Sequence, residues 1–192
     1  MSHEKEAVMI NLSPEACNRI TLGEQIAFLK KTRPNLNPPF KVYVCCGMAG
    51  LPTYVTNDKL ETVSVYEECP DIINGRVIAE FVCKDIAKIT DAVTHYEVQG
   101  FVERGLHQIL YEDACSNYEQ LYRLLSKKSA YAWYVSNLKV YDTPKKVSDF
   151  CKPDYKHKGF GTWVWKQGRY LTQPPTNWCY VKDWFYTEKG GV

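Results

Sequence analysis

Residues 13–34, SPEACNRITLGEQIAFLKKTRP, decide the fold of this chain. Ser13 is a good N-cap, Pro14 suits the first helical position, where a missing N–H costs nothing, and Glu15 places negative charge in the first turn. Gly23 is a natural stop, because glycine enters the left-handed backbone region that ends many helices. Residues 25–30 then alternate as a strand, and Pro34, Pro38 and Pro39 forbid a helix beyond them. The stretch predicts a short helix, a glycine turn and a strand.

Strand patterns surround it. Residues 6–11 predict a first strand, with Val8 and Ile10 on one face and Met9 on the other, and residues 40–46, FKVYVCC, a compact apolar one. A further short strand is expected over 60–66. Asn74-Gly75 is a turn signal ahead of the strongest strand pattern, residues 76–88. There Val77, Ala79, Phe81 and Cys83 alternate with Ile78, Glu80, Val82 and Lys84, and the second set is the wetter face.

Residues 91–130 read as a helical insert. Ser116-Asn117-Tyr118-Glu119 is a capping box, and Tyr118, Leu121, Tyr122 and Leu125 share one helix face behind it. Residues 131–141, YAWYVSNLKVY, predict a long strand, followed by Pro144 and a helical turn to about residue 150. Residues 152–168 read as a basic, aromatic loop, 178–181 as the last strand and 186–192 as a flexible tail. No repeat or linker interrupts the chain, so one domain over 1–192 is expected.

With 192 residues, 45% of them hydrophobic, the chain can bury one sizeable core or two small ones. Five Trp and fourteen Tyr suit a β-rich domain, whose pleated faces take broad rings. A net charge of only +2 excludes a uniformly basic nucleic-acid binder, so any basic patch is local. No apolar run approaches the roughly 18 residues of a membrane span. The reading is a soluble, cytoplasmic protein without membrane contact. Eight cysteines are scattered with no Cys-x-x-Cys pair and no His at matching spacing. They read as reduced thiols, several of them buried as small hydrophobes, with no metal and no cofactor.

The opening stretch resembles the start of an ASCH domain, a member of the PUA-like superfamily. That family's signature there is Gly-x-Lys-Thr-x-Glu (or Thr)-x-Arg, followed in phage-type members by Lys-Thr-Arg-Pro. The chain keeps Gly23, Glu24, Lys31, Thr32, Arg33 and Pro34. Residues 74–84 (NGRVIAEFVCK), 131–150 and the ending PPTNWCYV at 174–181 resemble the same proteins. The resemblance implies an α+β fold: a PUA-like mixed β-barrel with a few flanking helices.

Departures fall where the family's chemistry sits. Gln25 and Phe28 replace the Lys and Thr that the resemblance assigns to hydrolysis of acetylated cytidine, and Lys30 replaces the Arg. Tyr134 stands where relatives carry His, and Gln173 where they carry Arg. Gln exchanges no proton near neutral pH and Phe has no nucleophilic atom, so the amidohydrolase reading is disfavoured and no catalytic residue is assigned. The leading expectation is recognition without catalysis, of RNA, another single strand or a nucleotide. The candidate residues are Gln25, Phe28, Lys30, Arg33, Tyr134, Trp163, Trp165, Lys166, Arg169 and Gln173. In this reading Phe28 and Tyr134 stack on a base, Gln25 and Gln173 bond its edge, and Lys30 and Arg33 hold phosphate. The cleft lies between residues 23–30 and the strand ending near Tyr134. Filling of the pocket by Ile26 and Phe28 is the competing structural reading. A protein-binding role, blocking a host defence or nucleic-acid-processing machine, is the alternative, with sequestration of a nucleotide signal as its variant.

Overall fold

The computed structural model describes residues 6–47, 54–56, 62–64, 75–90, 112–116, 121, 123–124, 129–157, 163–166 and 168–183. In chain order they form β1 (Glu6–Leu12), α1 (Pro14–Thr21), β2 (Ala27–Lys30), β3 (Phe40–Cys46), β4 (Tyr54–Thr56), β5 (Thr62–Ser64), β6 (Arg76–Thr90), β7 (Ser129–Lys146), a 3₁₀ turn at Val147–Asp149, β8 (Asp154–His157), β9 (Trp163–Lys166) and β10 (Trp178–Lys182). The main sheet has the order β10-β1-β3-β6-β7-β2. It is mixed, since β1 runs parallel to β3 but antiparallel to β10, and β2 is antiparallel to β7.

This is the expected α+β fold, but the sheet is open rather than closed into a barrel. Four strands are spent elsewhere: β4 pairs with β5 and β8 with β9 in separate ribbons, which leaves six for the main sheet. The second ribbon corrects the reading of 152–168 as a loop. Tyr155 lies opposite Trp165 and Lys156 opposite Val164, an antiparallel pairing in an aromatic, β-branched sequence. Most of the expected helical insert and the tail at 186–192 lie outside the described residues. Within the insert, Leu121 and residues 123–124 are helical and Leu121 is fully buried.

The chain falls into two compact units, one of residues 1–18, 40–81 and 138–192, the other of residues 19–39 and 82–137. In the first unit, Ala7, Met9, Tyr43, Cys45, Val77, Phe150 and Val181 form the core. Strand β1 is buried on both faces from Ala7 to Ile10, so its apolar run carries no alternation, and it pairs on both edges with β10 and β3. A polar network borders this core. Tyr43 Oη donates to Asp183 Oδ1 at 2.8 Å, Lys41 Nζ lies 3.3 Å from the same oxygen, and Tyr141 Oη donates to Glu80 Oε2 at 2.6 Å. Burial and the Glu80 carboxylate push the Tyr141 phenol far above its ordinary range.

In the second unit, Ile89, Leu121, Ala130 and Ala132 form the core, with Leu29 and Tyr134 packed against it. Trp133 is fully buried. The expected wet face of β6 holds, with Lys84 exposed and Glu80 and Val82 half-buried; Ile78 alone is buried. Cys17, Cys45, Cys46 and Cys83 are buried thiols outside any disulfide, used largely as small apolar side chains. Among the described residues, no helix is long and apolar enough to cross a membrane.

Candidate functional site

The motif turn is built as its sequence asks. Ser13 Oγ accepts from the Ala16 amide at 3.3 Å, capping α1. At the other end Gly23 has φ +73, its amide donates to Ile20 O at 3.0 Å, and the Glu24 amide donates to Arg19 O at 3.0 Å. That pair of bonds is the Schellman arrangement, which satisfies carbonyls left open by the last turn. The chain is thereby aimed into β2.

At three of the motif positions, Gln25, Phe28 and Lys30, the side chain is buried. Gln25 is buried; its Nε2 donates to Ala27 O at 3.0 Å and its Oε1 accepts from Arg19 Nε at 3.2 Å. Phe28 is 2% exposed and offers no open ring face. Ile26 is 44% exposed, so it fills no cavity. Lys30 is buried, whereas Lys31 and Arg33 are exposed.

The expected cleft between residues 23–30 and the strand near Tyr134 is not formed as such. Strands β2 and β7 are hydrogen-bonded neighbours, with Ala27 opposite Tyr134 and Phe28 opposite Trp133. Paired antiparallel strands lie about 5 Å apart, too close to admit a ring between them. Opposed residues share a face and successive ones alternate, so Phe28 and Tyr134 point to opposite sides of the sheet. They cannot sandwich one base together. Tyr134 instead donates to Asp113 Oδ2 at 3.1 Å. Burial first, then that bond and the nearby carboxylates, push its phenol up to about 12.

A cavity of about 550 Å³ opens in the other unit, along residues 169–179. Its wall is held at both ends. The Lys152 amide donates to Arg169 O at 2.9 Å, the Leu171 amide to Phe150 O at 2.8 Å, and the Asn11 amide to Asn177 O at 2.8 Å. Between these anchors Pro174 and Pro175 each have a ring-fixed φ, which limits the freedom of the segment. Arg169 and Gln173, two of the residues expected from sequence, both line this cavity and both are exposed. Lys152 adds a second cation, and neither it nor Arg169 has an ion-pair partner among the described residues. Tyr170 is 56% exposed, and the half-buried Trp178 meets Tyr180 edge-on with centroids 5.4 Å apart.

Among the described residues, the cavity lining contains no His, Asp or Glu. Its Cys179 thiol is raised by burial, against a smaller lowering from the Lys152 charge. The described lining can hold an anion, bond polar edges and stack a ring. Sequence reasoning missed Lys152, Tyr170, Thr172, Thr176 and Asn177. The available signal was Pro174-Pro175, which marks a stiff segment between two pinned ends. Trp163, Trp165 and Lys166 lie on β9 of this unit, while Gln25, Phe28, Lys30, Arg33 and Tyr134 belong to the other. Among the described residues, no group of three or more His, Cys, Asp or Glu is placed to hold a metal.

Comparison with known proteins bears on the fold. No protein-family model matches the sequence, and no curated protein matches it. Among solved structures, a serine-to-alanine variant of the ASCH protein from Zymomonas mobilis is similar, with TM-score 0.55 and 12% identity over 97% of this chain and 94% of that one. The ASCH structure from Zymomonas mobilis gives TM-score 0.52 and 12% identity over 95% and 92%. The chain has the α+β fold of these ASCH structures, and the fold expected from the resemblance is borne out at that level.

Proposed function

We propose that the protein is a non-catalytic ASCH-like module that binds RNA, another single strand or a nucleotide, and that it derives from a phage or mobile element. The observation that carries this reading is Gln25. It occupies the position where the resembling hydrolases hold a reactive Lys, and both ends of its amide are tied down inside the protein. With Phe28 buried as well, and carrying no nucleophilic atom, the chemistry of the resembling hydrolases has no group to act through. Recognition keeps its material: exposed cations, an exposed Tyr and side-chain amides around one cavity. The degenerate motif inside an otherwise phage-type frame motivates the origin.

The test is anisotropy of a labelled, unstructured RNA oligonucleotide, with acetylated cytidine assayed in parallel. Two phosphate contacts on a single strand predict a loss of affinity of about sevenfold between about 50 and 200 mM salt. No turnover is expected. Absence of binding to RNA, single-stranded DNA and nucleotides at low salt overturns the reading, as does hydrolysis of acetylated cytidine by the unaltered protein.

A further inference from the structure

We propose that the cavity along residues 169–179, rather than the motif turn, is the ligand site, and that it receives one unpaired nucleotide. In this arrangement Lys152 and Arg169 hold the phosphate, the Tyr170 ring meets the base, and Gln173 bonds its edge. The proposal rests on the nucleotide-binding reading above and fixes where the ligand goes.

Size is the first argument. About 550 Å³ falls within the range of roughly 300–1,000 Å³ typical of small-ligand pockets. Inorganic phosphate would leave most of it empty, and a duplex would not enter. Charge is the second. Two cations line the cavity, and among the described residues they have no acidic partner and the lining holds no carboxylate side chain, so an anion is favoured at one end. Arg169 adds a planar fork that suits two phosphate oxygens at once. Lining chemistry is the third. An exposed Tyr, the half-buried Trp178 and the amide of Gln173 give a ring face and directional donors and acceptors, which a bare anion site does not need. Rigidity is the fourth: the wall is fastened to residues 150–152 and to β1, and its proline pair limits the ordering cost of binding.

The same unit of chemistry could arrive as a free nucleoside monophosphate or within a strand, and the test separates the two. Cys179 lines the cavity and is half-buried, so its alkylation reports occupancy. Cys115, in the other unit, serves as the internal control. The full chain is treated with N-ethylmaleimide in the presence of AMP, UMP, an RNA octanucleotide or inorganic phosphate, and each thiol is quantified by peptide mass spectrometry. Protection of Cys179 by at least about fivefold, with Cys115 unchanged, is expected from a saturating ligand. Protection by the mononucleotides identifies a free-nucleotide site; protection by the octanucleotide alone identifies a strand site. Both support the proposal. Arg169→Glu, an exposed substitution checked by its thermal transition, should abolish protection, and Gln173→Ala should weaken it.

Equal protection by inorganic phosphate overturns the nucleotide assignment in favour of a simple anion site. If the oligonucleotide binds by anisotropy while Cys179 stays reactive and Arg169→Glu binds normally, the location is wrong and the functional reading stands. If no nucleic acid or nucleotide binds at all, both fall.

Discussion

Arg19 Nε donates to Gln25 Oε1 across 3.2 Å, joining the last turn of α1 to the segment that leads into β2. The bond spans the turn at Gly23 and sits on top of the Schellman pair. The glutamine is therefore a clasp of the turn. A residue type that looks like a conservative polar stand-in for a reactive lysine has become part of the scaffold.

Replacing it should cost stability. Gln25→Ala removes two hydrogen bonds and leaves Ala27 O short of a donor, a loss of about 1–3 kcal/mol. Gln25→Lys should be no better, because it buries an ammonium beside the Arg19 guanidinium. Urea denaturation of both variants checks this. A Gln25→Lys protein as stable as the parent would contradict the clasp.

The turn itself has a backbone requirement. Gly23 has φ +73, and nothing lies within 4 Å of where a methyl group on its Cα would sit, so crowding is absent and only the left-handed conformation resists substitution. Gly23→Ala should destabilise by about 1–2 kcal/mol. Gly23→Asn should recover part of that, since Asn tolerates this region better. A Gly23→Ala midpoint unchanged in urea would show that the turn re-forms differently.

Alkaline stability follows from buried acids of another kind. Burial raises the Cys45 and Cys83 thiols from 9.0 to about 12, and the Tyr134 phenol from 10.0 to about 12. All three hold their protons longer folded than unfolded. Their contribution is complete below about pH 9 and is lost as pH rises toward about 12. The urea midpoint should be level from about pH 7 to 8.5 and fall beyond it, and Cys45→Ala should make that fall shallower. A flat profile to about pH 11 would be the contrary result.

The polar border of the first core can be dissected with Tyr43. Tyr43→Phe leaves Asp183 Oδ1 with Lys41 but without its phenol donor. Loss of a buried bond to a charged acceptor predicts about 1.5–3 kcal/mol, measured by urea denaturation. Asp183→Asn in the same background should add less than it does alone, because the two share one network.

Local signals made much of the fold legible. Ser13, Pro14 and Gly23 fix both ends of α1, and residues 40–46 give β3 to the residue. Strands β6 and β7 run longer than expected because their pattern continues through Lys88 and Pro144 without a breaker strong enough to stop it. Pro144 offers no N–H to a ladder, yet lies near the strand's end, where one missing donor is tolerated. The β8–β9 ribbon was hidden because Lys156 and Lys166 in its strands, and the glycines between them in sequence, imitate a loop composition. Whether a sheet closes depends on long-range pairing, which no local pattern carries.

The site was harder to read for the same reason. Arg169 and Gln173 stood out as residue types, but their shared cavity depends on how 169–177 is pinned to 150–152 and to β1. Phe28 and Tyr134 looked like two walls of one pocket. One step of register, pairing Phe28 with Trp133, puts them on opposite sides.

Strand β1 carries a consequence for the order of events on the ribosome. Glu6 lies opposite Lys182 and Ile10 opposite Trp178, so the second strand of the sheet receives its outer neighbour from residues translated about 170 positions later. Until that segment emerges, Ala7, Val8, Met9 and Ile10 have a bare flank. A nascent chain stalled before residue 178 should therefore recruit holding chaperones that the released protein no longer needs.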